Sequence, residues 1–207
     1  MSVIAYTIVK PQPGRRELAE DRVRRAGAIY AKHGAEVKLS RVIAGPYTNC
    51  LTAQRKYDSF SASAKALGAL AGDDELSQLQ NEREADPAGE ILVGREILRV
   101  VYGSSAWDTH PVSHLRVYEV NKNHLADALA LLPEVEQMVA PSGVNVIGLV
   151  PVTGDNMSTM TVAYQLKSVD HWGEVLDTVG TSPEFLSIIA RAAEYGTIRM
   201  SSAMVPL

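Results

Sequence analysis

The sequence predicts an α+β fold: two tandem βαββαβ modules with antiparallel sheets and helices on one face of each. Three observations predict it. First, a repeat runs through the chain at a shift of 109 residues. It places Gly34-Ala35-Glu36-Val37 on Gly143-Val144-Asn145-Val146, Gly45 on Gly154, Ser59 on Ser168 and Leu67 on Leu176. Second, these landmarks fall at corresponding turns of one element string: strand, helix, strand, strand, helix, strand. Third, 207 residues exceed the ~150 typical of one domain and divide into two modules. The expected division is residues 1–102, a linker over 103–112, and residues 113–207.

Each element has its own sequence reason. Residues 3–10 are rich in Val, Ile, Tyr and Thr and stop at Pro11-Gln12-Pro13-Gly14, a strand running into a turn. Residues 15–33 carry Ala19, Val23, Ala26 and Tyr30 at helical spacing, with Gly34 as the terminating glycine. Residues 36–44 and 48–57 read as strands around Gly45-Pro46. Asp58 or Ser59 caps a helix that runs to Leu70, and Gly72-Asp73-Asp74 restarts a helix over 75–85. Asp86-Pro87-Ala88-Gly89 ends it, and residues 90–102 form the last strand of the first module.

The second module repeats this order. Residues 114–120 form a strand. Leu125, Leu129, Leu132, Val135 and Val139 then make a helical stripe that Pro133 kinks or divides and Ser142-Gly143 ends. Strands follow over 144–152 and 157–166, around Thr153-Gly154-Asp155-Asn156. Ser168 caps a helix with Trp172, Val175, Leu176 and Val179 on one face. Thr181-Ser182-Pro183-Glu184 fits a capping box and opens a helix over 185–195, and residues 196–205 close the fold.

Composition excludes several classes. Net charge is −4 with a pI near 5.7, the wrong sign for a nucleic-acid-binding domain, so no nucleic-acid partner is expected. No run of about 20 apolar residues exists, so no membrane partner is expected either. The first ten residues lack a basic start and a small-residue cleavage site, and one cysteine, Cys50, suits a reducing compartment; both point to a cytoplasmic chain. One thiol also excludes an internal disulfide and a multi-thiolate zinc site. His33, His110, His114, His124 and His171 form no spaced metal cluster, so no metal is expected. No phosphate-binding glycine loop and no Gly-x-Ser-x-Gly elbow is present. Trp107 stands in the linker, where it reads as a plug for the barrel rather than a lid.

Residues 4–10 followed by Pro-x-Pro-Gly, and then a helix ending in a Gly-initiated strand pair, resemble the dimeric α/β-barrel superfamily. That superfamily includes the antibiotic biosynthesis monooxygenases, the NIPSNAP proteins and the EthD-like proteins. Asp73-Asp74-Glu75-Leu76 and Ser182-Pro183-Glu184-Phe185 resemble the D-P-E-F helix start frequent there. The resemblance covers the whole chain as a fused tandem. It implies two ferredoxin-like modules closing one barrel with helices outside, and a lumen able to hold a small organic molecule or haem. Members range from cofactor-free oxygenases and isomerases to haem enzymes, and fold alone does not choose among them.

Strand alternation assigns lumen candidates. Aligning Tyr6 with Tyr118, a shift of 112 in place of 109, puts Tyr6, Arg116 and Tyr118 on the lumen face of the first strands. On the third strands the more polar face carries Thr52, Gln54 and Thr161. These six are the candidate ligand contacts, hydroxyls, an amide and a guanidinium on otherwise apolar walls. No catalytic residue is singled out. The expected ligand is a small apolar or aromatic molecule. The expected activity is a cofactor-independent monooxygenase or isomerase acting on a small aromatic or polyketide-like compound. The alternatives are a non-catalytic binding module for haem or a small apolar ligand, and a structural barrel. No cofactor is expected, haem being the alternative, and outer strand edges could pair two chains as a homodimer.

Overall fold

The structure, a computed structural model, describes residues 1–207. The first module runs β1 (Val3–Pro11), α1 (Arg16–Lys32), β2 (Glu36–Ala44), β3 (Leu51–Tyr57), α2 (Phe60–Leu70), α3 (Asp74–Ala85) and β4 (Gly89–Tyr102). The second runs β5 (Val112–Val120), α4 (Leu125–Ala130), α5 (Leu132–Val139), β6 (Asn145–Thr153), β7 (Thr159–Leu166), α6 (Val169–Thr178), α7 (Pro183–Ala192) and β8 (Gly196–Pro206). The eight strands close into one antiparallel barrel in the order β1-β3-β2-β8-β5-β7-β6-β4. Each module contributes a ferredoxin-like four-strand sheet, and its two outer strands bond to the other module. Ser40 pairs with Pro206 across one seam and Val100 with Leu149 across the other. Closure leaves no module with a free inner face.

The caps explain where the helices begin. The Ser59, Asp73, Ser168 and Ser182 side chains each accept a backbone N–H from the first turn of α2, α3, α6 and α7. For α7 the cap is Ser182 with Pro183 at the first position, not Thr181 of the expected capping box. Pro133 divides its stripe into α4 and α5, since a proline has no N–H to continue the ladder. Residues 48–50 belong to the β2–β3 loop rather than to β3; Asn49 there has φ of 70°, which breaks strand geometry.

Glycines make both seams. Gly45 lies at φ +100°, and a Cβ there would strike the Ser201 carbonyl of β8. Gly103 lies at φ +67°, and a Cβ there would strike the Val146 carbonyl of β6. Helices cover the outside: α1 buries Ala19, Val23, Ala26 and Ile29, while Val135, Val139, Phe185 and Ile188 cover the second sheet. A separate apolar cluster fills part of the lumen, with Ile4, Val42, Leu115, Ile147 and Met204 around Trp107. No helix is long and apolar enough to cross a membrane.

Candidate functional site: the barrel lumen

The lumen has a closed end and an open end. The linker crosses beneath the barrel between β4 and β5. There Gln165 of β7 accepts the Ala106 N–H at 2.8 Å and an amide proton of Asn145 at 2.8 Å. This tether holds Trp107 against the lumen cluster at 8 % exposure, where it plugs the barrel floor. The β2–β3 and β6–β7 loops flank the opposite end, bringing Tyr47, Gly154 and Asn156 to the mouth. Between them lies a cavity of about 190 Å³ with mostly apolar walls.

Register organises the polar groups. Lys38 of β2 faces Gln54 of β3, Gln54 faces Tyr6 of β1, and Tyr6 faces Glu96 of β4. Four inward side chains on four adjacent strands thus form one transverse row. The matching row of the second module is Ile147, Ala163, Leu115 and Ser202. The first row is polar and ionisable, and the second is apolar but for Ser202; elsewhere the second module adds the neutral Ser113, Thr159, Thr161 and Gln165 to the cavity. A ligand at the level of the rows meets ionisable groups on one side and aliphatic ones on the other.

Glu96 reaches the lumen by plain alternation with Leu98 of the same strand, whereas Val93 reaches it because β4 is irregular. Against β1 the register slips between Tyr6 and Ile8, so that Tyr6 pairs with Glu96 but Ile8 with Val93. This β-bulge turns Val93 inward beside Glu96, and Arg95 donates instead to Ser63 on the helix side. Burial, with the nearby Asp155 carboxylate, raises the Glu96 carboxyl above its ordinary value, opposed by a hydrogen bond from the Asp155 backbone. Burial also holds the Tyr6 phenol well above its usual range, with Tyr47, Glu96 and Cys50 adding to the effect, so Tyr6 is a neutral donor. The Gln54 Oε1 is buried without a partner. At the floor, Lys38 is 7 % exposed and donates to Ser113 Oγ at 2.9 Å. Burial lowers its ammonium to about 8.

The sequence-derived candidates divide. Tyr6, Gln54 and Thr161 line the cavity. Thr52 faces inward but is packed solid, its hydroxyl directed at Met204 Sδ at 3.7 Å. Arg116 and Tyr118 are not in the lumen: both point outward beneath the helices, and this corrects the expectation for them. Arg116 lies between the Tyr164 ring (5.7 Å) and the Phe185 ring (5.6 Å). Two aromatic faces support the guanidinium there without a carboxylate. Tyr118 lines a narrow space with Leu132, Met160 and Ile188. The error is one of parity. Strand pairing aligns β1 with β5 at the same 109 shift as the rest of the repeat, since Val3 faces Tyr57 and Val112 faces Leu166. Tyr6 therefore corresponds to Leu115; the odd difference between shifts of 112 and 109 turned every β5 side chain to the wrong face. Lys38, Glu96 and Ser113 went unnoticed in the sequence. Carrying the 109 shift through β1 and β2 would have found Ser113 and Lys38.

Haem does not fit these residues. The lumen offers little more than the roughly 150 Å³ that takes one benzene ring, and a porphyrin joins four pyrrole rings. His114 borders a helix-side space of about 30 Å³, and its Nε2 is engaged by Ser201 Oγ at 2.7 Å. Both ring nitrogens of His171 are hydrogen-bonded to backbone, through Lys167 and Ser142. No group of three or more His, Cys, Asp or Glu side chains converges as a metal site.

No family profile and no curated protein matches the chain by sequence. Solved structures do match its fold. An anthrone oxidase-like protein superposes with a TM-score of 0.65 at 12 % identity, over 100 % of this chain and 91 % of that one. A ferredoxin-fold protein from Listeria monocytogenes, described as related to antibiotic biosynthesis monooxygenases, gives 0.52 at 11 % identity over 100 % and 95 %. A mutant chlorite dismutase from Candidatus Nitrospira defluvii gives 0.54 at 12 % over 99 % and 92 %. The molecule is thus a fused ferredoxin-like α/β barrel of the architecture found among antibiotic biosynthesis monooxygenase-like proteins.

Proposed function

We propose that the barrel is an acid–base enzyme that ionises a small, one-ring aromatic or enolisable compound in its lumen. The observation that carries this reading is Glu96, a carboxylate on the inward face of β4 that lines a mostly apolar cavity and is made more basic by burial. The substrate ring lies against Leu98, Leu115, Val117 and Leu149. Its acidic O–H or C–H faces Glu96, which takes the proton. The neutral Tyr6 phenol donates to the oxygen on which negative charge develops, and Gln54 fixes a ligand donor through its free Oε1. Dry walls strengthen both interactions.

The anion then has two fates. Return of the proton at another carbon gives an isomer. With dioxygen as the oxidant, a methylene becomes a carbonyl: one oxygen atom enters the carbon, and the other leaves as water with the two hydrogens. The solved neighbour named anthrone oxidase-like supports the second fate as chemistry on this fold, although a three-ring anthrone exceeds about 190 Å³. Both fates share the first step, and that step is the test. Phenylacetone incubated with the protein in heavy water should exchange its methylene hydrogens, followed by proton NMR. Glu96→Gln should slow exchange about 100-fold and Tyr6→Phe by a smaller factor. Binding without exchange in the native protein would instead make the barrel a ligand carrier and end the enzymatic reading.

A further inference from the structure

We infer that the lumen floor at Lys38 and Ser113 is the seat for the carboxylate of a small aromatic acid. The inference rests on reading the lumen as a ligand site and adds the charge class of its occupant. Lys38 is buried, with its Nζ 5.9 Å from the centre of the Trp107 ring. It forms no ion pair, whereas Lys56 on the neighbouring strand pairs with Glu36. Its one hydrogen-bond partner is the neutral Ser113 hydroxyl, and Ser113 lines the cavity. An isolated buried ammonium is costly, and proteins either pair such a charge or keep it for a ligand.

The hydrogen-bond chemistry fixes the sign of that ligand. Ser113 Oγ accepts from Lys38, so its own O–H is free to donate into the cavity. An anion seated there receives the Ser113 proton with the ammonium directly behind it. Trp107 closes the floor and shields the pair from water, which strengthens the attraction. Burial alone lowers the ammonium, so no chain carboxylate supplies the countercharge. The row geometry agrees. Lys38 and Glu96 lie three strand spacings apart, ~14 Å along the wall. Inward-reaching side chains shorten that span to one that a single ring with short substituents bridges, its carboxylate at Lys38 and its acidic hydrogen at Glu96.

The test compares two probes of one shape, benzoate and benzyl alcohol, by titration calorimetry and tryptophan quenching. Native protein should bind both, benzoate more tightly. Lys38→Met should weaken benzoate at least 10-fold and leave benzyl alcohol within 2-fold, and Ser113→Ala should weaken benzoate by a smaller factor. Equal losses for both probes, or benzoate binding unaltered in Lys38→Met, would overturn the anion seat. Retained binding of benzyl alcohol would then leave the lumen reading standing. If Lys38→Met does not fold, Lys38→Arg decides: it keeps the charge, so benzoate selectivity should persist, and its loss overturns the proposal. Native protein that binds neither probe overturns this inference and the lumen reading together.

Discussion

Two buried bases set how single residues couple function to stability. Lys38 is held at about 8 against an ordinary 10.5, so the folded protein disfavours its charged form. The unfolded chain binds more protons between those values, and stability therefore rises as pH climbs from 8 to 10.5. Below 8 the amine is charged in both states and the full cost, roughly 3 kcal/mol, opposes folding. Lys38→Met should accordingly raise the urea midpoint at pH 7, by about 1–3 kcal/mol in stability, and gain little at pH 10.5. A site residue whose removal stabilises the protein is the behaviour expected of a group kept for its ligand. His114 works on the acid side. Burial first, and Arg116 second, lower it to about 4 from an ordinary 6.5. The unfolded chain takes up the proton first, so stability present above 6.5 is lost as pH falls toward 4. His114→Gln should flatten the stability profile between pH 6.5 and 4, and a profile as steep as the native one would assign the acid loss to other groups.

Strands and helices differ in how much of them the sequence shows. Helix positions were legible because caps and stripes are local: Ser59, Asp73, Ser168 and Ser182 act within one turn of themselves. The inward face of β3 and β7 was legible too, from alternation and the polarity of one face, which is why Gln54 and Thr161 fall on the cavity; Tyr6 of β1 falls there although its alignment with Tyr118 does not hold. Faces failed where parity depends on something non-local. In β5 a matched pair of tyrosines outweighed the register set by β7, and Arg116 and Tyr118 were turned inward on paper. In β4 alternation back from Leu98 reaches Glu96 but not Val93, because the bulge beside Gly94 and Arg95 changes parity in mid-strand. That bulge yields a prediction of its own. Deleting Gly94, where a Cβ would meet nothing within 4 Å, removes the extra residue and lets Arg95 face Thr7 between the Tyr6–Glu96 and Ile8–Val93 pairs. Val93 and Glu96 then stand two residues apart and both stay inward by plain alternation. Proton exchange and the affinity for benzyl alcohol should therefore both persist, while circular dichroism stays native-like. Loss of either would show that the bulge does more than set the parity of β4.

At the scale of the whole molecule, the repeat has diverged into a division of labour. The first module supplies the ionisable row Lys38, Gln54, Tyr6 and Glu96; the second supplies the facing apolar row of Ile147, Ala163 and Leu115. The ionisable groups of the lumen thus come from one module only, and neither module can bury its inner face alone. The seams show the same dependence: β2 must reach β8 and β4 must reach β6, each through a glycine at positive φ that admits the partner's carbonyl. Cutting the chain between the exposed residues Asp108 and Thr109 leaves all eight strands intact and keeps Trp107 with the first half. The two pieces, co-expressed, should associate as a 1:1 complex with the mass of the intact 22.4 kDa chain, measured by light scattering. Their melting temperature should rise with protein concentration, since closure is no longer intramolecular. The first half alone faces a different outcome. Pairing with a copy of itself would put two Lys38 ammoniums and two Glu96 carboxyls in one lumen without the apolar row that faces them in the intact chain, so the mixed complex should displace the self-pair when the second half is added. Two halves that instead stayed monomeric and folded when mixed would sink the idea of one shared core. Preference for the mixed complex over the self-pair would show that the ionisable and apolar rows, separated by the repeat, act as partners.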